Sequence, residues 1–127
     1  MKTVLIITDE SVETAKIAAG IKTALKGNKI LVKSASEFRG NDILPADVFF
    51  LGCEKPNPDS FTYLKDVLKH INLAGRPCGI FSPGSEKAVK YLAGLVKDCE
   101  AALNPEYLAG SGTDTGIWAK KVVSGNI

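Results

Sequence analysis

The sequence predicts an α/β protein, a three-layer, doubly wound, five-stranded parallel sheet formed by a single domain over residues 1–127. Two observations predict it. Short apolar runs recur at residues 3–7, 29–33, 47–52 and 78–81, and strands covered on both faces by helices have that character. Between the runs, apolar residues recur at spacings of three and four, the period of a helix that buries one face. Parallel neighbours need long crossovers, usually helical, and right-handed crossovers leave few ways to arrange the strands.

Each element has its own signal. Residues 3–7 (TVLII) make the first strand, and a polar turn follows. Ile17, Ala18, Ile21, Ala24 and Leu25 mark one face of the first helix. Ser11 is placed as its N-cap, where a hydroxyl accepts from a first-turn amide. Gly27 and Asn28 close it, since both tolerate a positive φ. Residues 29–33 (KILVK) carry lysine at both ends, which suits an edge strand. Gly40, Asn41 and Pro45 leave room for a short helix at residues 35–38 only. The third strand covers residues 47–52, and a loop with two prolines covers 53–60.

Phe61, Leu64, Val67, Leu68 and Ile71 form the next helical stripe, with Asp59 or Ser60 as its cap and Gly75 as its breaker. Residues 78–81 form the fourth strand. Ser85 caps a long helix whose buried face reads Ala88, Val89, Leu92, Leu95, Val96 and Cys99, and Asn104-Pro105 is expected to stop it. Residues 106–109 are expected as the fifth strand, 110–116 as a loop and 117–123 as the last helix.

Composition narrows the function classes. Sixteen basic and fourteen acidic side chains give a net charge of +2, with lysines scattered along the helices, so a nucleic-acid partner is not expected. No apolar run approaches membrane-spanning length. The N-terminus lacks a signal-peptide layout, and a cytoplasmic location is the expectation. Cys53, Cys78 and Cys99 are far apart and odd in number, which suggests reduced thiols rather than a disulfide framework or a zinc site. His70 is the only histidine and reads as an exposed helix residue.

Ligands of doubly wound sheets bind beyond the C-terminal strand ends, where the strand order reverses. The loops expected to gather there are residues 9–14, 53–60, 82–85 and 110–116. The first is a strand, a polar turn and a helix start, where free backbone N–H groups can meet an anion. Cys53 follows a strand end with Lys55 nearby, and a lowered thiol pKa is one expectation for it.

These loops resemble those of the flavodoxin family. Its first loop reads T-x-T-G-x-T and wraps the phosphate of FMN. The matching register here is Asp9, Glu10, Ser11, Val12, Glu13 and Thr14, with residues 15–18 similar to the family's helix start. Residues 44–52 resemble the approach to its third strand and residues 71–81 the approach to its fourth. Residues 118–122 are similar to its terminal helix. The resemblance to a short-chain flavodoxin implies strand order 2-1-3-4-5 and an FMN cofactor. It places Ser11, Thr14 and the amides of Val12 and Glu13 at the phosphate. Cys53, Glu54, Ser82, Pro83, Gly84 and Ser85 would border the isoalloxazine ring, and a redox partner protein would exchange the electrons.

The phosphate loop is a degenerate one. Asp9 stands where the family has a hydroxyl, and Val12 where it has glycine. Glu10 and Glu13 are expected to face solvent. Carboxylates about 6 Å from a phosphate dianion would oppose it by on the order of several kcal/mol at an effective dielectric near 20. Neither ring loop contains an aromatic residue, while Phe61 and Tyr63 just beyond are read as core and surface. Residues 112–116 (GTDTG) also resemble a phosphate motif. Three functions stay open: an FMN-binding electron carrier, a protein of the same fold that has lost FMN and binds a ligand or protein, and an enzyme using Cys53.

Overall fold

The computed structural model describes residues 2–109 and 115–125. Strands β1 (Thr3–Thr8), β2 (Lys29–Ser34), β3 (Val48–Gly52) and β4 (Pro77–Ser82) pair in parallel in the order β2-β1-β3-β4. The fifth position is shared by two dipeptide strands, β5 (Ala102–Leu103) and β6 (Leu108–Ala109), each parallel to β4. The order is therefore 2-1-3-4-5, as expected, with β2 at an edge.

Successive residues of a strand point to opposite faces, so β1 serves two cores. Leu5 and Ile7 pack with Phe49, Leu51, Leu64, Leu68, Leu92 and Val96 on one side. That side is covered by α2 (Gly40–Ile43), α3 (Thr62–His70) and α4 (Glu86–Cys99). Val4 and Ile6 pack with Ile17, Ile21, Phe50, Phe81 and Trp118 on the other, under α1 (Val12–Ala24) and α5 (Thr115–Ser124). Burial of β3 throughout, and of β1 from Val4 onward, explains their unbroken apolar runs. The Phe81 ring lies over Gly52, where an added Cβ would stand 2.2 Å from Cε2. Glycine at the end of β3 is thus required by packing.

Four details differ from the sequence reading. The short helix is α2, at Gly40–Ile43, and not residues 35–38. Phe38 N–H donates to Ser34 O at 2.9 Å and closes a turn there. Helix begins where the Asp42 carboxylate accepts from Arg39 N–H at 2.9 Å. Neither Asp59 nor Ser60 caps α3 with its side chain; a 3-10 turn, Asp59–Phe61, leads into it.

The other two concern the chain after α4. That helix ends at Cys99, with Glu100 in the left-handed region at φ 63°. The edge strand starts at Ala102, before Asn104-Pro105, and of the expected residues 106–109 only Leu108 and Ala109 pair. Asn104 N–H still donates to Cys78 O at 2.9 Å, but Pro105 has no donor to continue the ladder. Asn104 Oδ1 instead accepts from Glu106 N–H at 2.9 Å, and pairing resumes at Leu108. A proline marks a break in the edge strand here, not the end of a helix.

Candidate functional site

The strand order reverses between β1 and β3, so the turn after β1 and the loops after β3 and β4 share one end of the sheet. Ser11 has extended backbone and its Oγ accepts from Thr14 N–H at 3.3 Å, the expected cap of α1. Behind it, Asp9 is 9 % exposed. Its Oδ1 accepts from Ser11 N–H at 3.2 Å and its Oδ2 from Glu54 N–H at 2.8 Å. One carboxylate thus ties the β1–α1 turn to the loop after β3.

Thr14 is fully buried, and its Oγ1 has no hydrogen-bond partner among the described residues. The amides of Val12 and Glu13 lie in the first helical turn, where no intrahelical carbonyl reaches them. Val12 itself is 70 % exposed. Glu10 is exposed and accepts from the Ser36 hydroxyl, and Glu13 pairs with Lys16 at 3.2 Å on the surface. Both acids stand outward, as expected.

An open cleft of about 360 Å³ is lined by Glu54, Lys55, Pro83, Gly84 and Ser85. The six residues expected to border the ring therefore divide into two levels. Glu54 and residues 83–85 form the walls, while Cys53 and Ser82 are fully buried. Ser82 Oγ accepts from Ser85 N–H at 3.3 Å and fixes the turn into α4. Phe61 is buried and Tyr63 exposed, as read from the sequence. Tyr63 Oη accepts from Gly40 N–H at 3.0 Å, so its hydroxyl holds α2.

Cys53 does not have the lowered pKa that its position suggested. Burial, and then the Asp9 charge, push the thiol from 9.0 up to about 12. It stays protonated and weakly nucleophilic at neutral pH. Cys78 and Cys99 are buried with raised pKa values, chiefly from burial. Tyr91, which the sequence reading did not single out, lies near Cys53: its buried Oη has no partner among the described residues, and burial followed by Cys53 raises its pKa to about 12. It falls between Val89 and Leu92, off the apolar stripe of α4, so periodicity gives no sign of it. His70 is exposed, with Nδ1 2.8 Å from Asp66 O, and no nucleophile accompanies it. Of the second phosphate-like motif, residues 112–114 lie outside the described residues, and Thr115 and Gly116 open α5. Among the described residues no cluster has the make-up of a metal site, and no helix is long and apolar enough to cross a membrane.

No protein-family model matches the sequence, and no curated protein matches it. Solved structures do match it. A short-chain flavodoxin associated with a bacterial microcompartment superposes with a TM-score of 0.82 at 15% identity, over 98% of this chain and 96% of that one. A flavodoxin from Streptococcus pneumoniae gives 0.78 at 17% identity, over 96% and 94%. Oxidised flavodoxin 2 from Bacillus cereus gives 0.77 at 20% identity, over 98% and 97%. The chain has the flavodoxin-like fold. At these identities the likeness defines the fold, and the site must be argued from its own residues.

Proposed function

We propose that this protein holds a flavin, FMN being the form the fold suggests, and exchanges electrons with a redox partner protein. The observation that carries the reading is Thr14 Oγ1. Buried hydroxyls are almost always paired, and this one, in the first turn of α1, has no partner among the described residues. Ser11, Thr14 and the amides of Val12 and Glu13 would hold the polar tail of the flavin. Glu54 and residues 83–85 would border its ring in the cleft, with Cys53 and Ser82 beneath. A bound flavin supplies the electron-transfer chemistry; the chain supplies orientation and the polarity around the ring. The buried, protonated Cys53 thiol would present a neutral floor rather than a nucleophile.

A second reading is favoured by Asp9. Its carboxylate already takes the Ser11 and Glu54 amides, as it would in a protein that has lost FMN and uses the crevice to bind another ligand or a protein. A visible absorption spectrum of the purified protein, followed by titration with FMN, separates the two. Flavin bands, or quenching of flavin fluorescence that saturates at micromolar FMN, support the carrier, and Val12→Gly should then tighten binding. A colourless protein that leaves FMN fluorescence unchanged would support the second reading.

A further inference from the structure

The flavin reading leaves open which end of the molecule this crevice selects, and Asp9 bears on that. We propose that Asp9 makes the site indifferent to the phosphate, so that it takes an uncharged flavin such as riboflavin about as well as FMN. The inference rests on the flavin reading above. The donors at the start of α1 and in the loop after β3 are already partly engaged. Ser11 N–H donates to Asp9 Oδ1 and Glu54 N–H to Asp9 Oδ2, at 3.2 and 2.8 Å, while Thr14 N–H donates to Ser11 Oγ at 3.3 Å. A helix start stabilises a negative charge through such amides. Here the chain has lodged its own carboxylate among them.

Asp9 is also poorly placed to be neutralised. It is nearly buried, it makes none of the ion pairs among the described residues, and Lys16, the basic residue nearest the turn in sequence, pairs outward with Glu13. A dianion reaching the Val12 and Glu13 amides would meet this fixed charge at short range, and repulsion in a partly desolvated turn opposes it strongly. A ligand hydroxyl meets no such opposition. It can both donate and accept, which suits the unpartnered Thr14 Oγ1 and the remaining amides. The turn therefore holds the hydroxyl-bearing tail of a flavin, and a terminal phosphate kept out of it in solvent adds little to binding.

The test uses the full-length protein in fluorescence titrations with riboflavin and with FMN, repeated for Asp9→Ser and Asp9→Asn, with far-UV circular dichroism to verify folding of each variant. The expected result is that the two flavins bind the unaltered protein within about threefold of each other, and that both variants shift the ratio toward FMN by about tenfold or more. Raising ionic strength should weaken that shift. Binding of FMN more than about thirtyfold tighter than riboflavin by the unaltered protein, or a ratio that neither folded variant moves, overturns the assignment to Asp9 while leaving the flavin reading in place. Absence of quenching by either flavin, in the unaltered protein and in both variants, overturns both.

Discussion

Asp9 Oδ2 accepts from the backbone N–H of Glu54 at 2.8 Å, across 45 positions of sequence. With Asp9 Oδ1 on Ser11 N–H, the carboxylate closes the crevice between β1 and β3 from inside. Two partly buried hydrogen bonds depend on one side chain. Asp9→Ala would leave both amides without that acceptor and should destabilise the protein by about 1–3 kcal/mol in urea unfolding. A loss below about 0.5 kcal/mol would mean that water replaces the carboxylate without cost.

Phe81 fills the space that a side chain at position 52 would need. Gly52→Ala places Cβ within 2.2–2.7 Å of three ring atoms, so the ring or the β3 end must move. It should cost about 1–3 kcal/mol. Gly94 is the control: it lies inside α4, is exposed and has nothing within 4 Å of an added Cβ. Gly94→Ala should stabilise by about 0.5–1 kcal/mol. Thermal melts of the two variants should move in opposite directions.

Cys53 should be nearly inert to iodoacetamide at pH 7 in the folded protein and react quickly once the protein is unfolded. Its folded pKa is raised to about 12 from 9.0, so the folded state retains a proton that the unfolded thiol gives up. The associated stability is fully present below pH 9.0 and is lost as pH rises toward about 12. Tyr91 acts in the same direction between 10.0 and about 12. Urea midpoints should therefore fall across this alkaline range, and Cys53→Ala should flatten the fall. An unchanged slope in that variant would remove Cys53 as a source of the pH dependence.

Arg76 secures the shortest helix. Its Nη1 donates to the carbonyls of Ile43, Leu44 and Ala46 at 2.9, 2.9 and 3.0 Å. These carbonyls close α2, which has too few residues to stand alone. Arg76→Ala should destabilise by about 1–3 kcal/mol, and Arg76→Lys should recover only part of it, because an ammonium cannot reproduce the planar guanidinium. Faster amide exchange at residues 40–46 would locate the effect.

By itself the sequence determined the layers, the strand identities and the capped helices. The unbroken runs of β1 and β3 record burial on both faces, and the stripes of α1 and α4 record burial on one, so periodicity carries that information. Ser11 and Ser85 cap their helices through contacts three residues away, a range that local sequence expresses. Tertiary structure decided what depends on distant partners. Dipeptide strands β5 and β6 are too short to have a period and exist because β4 supplies their ladder. The position of α2 is fixed by Tyr63 and Arg76, 23 to 33 positions away. At the crevice the loops and the cap were legible, as was the mismatch at Asp9. That its carboxylate would take the Glu54 amide, or that Cys53 would be buried with a raised pKa, follows only once β1 lies beside β3. Hydrogen bonding and desolvation depend on which atoms surround a group, and those neighbours come from remote parts of the chain.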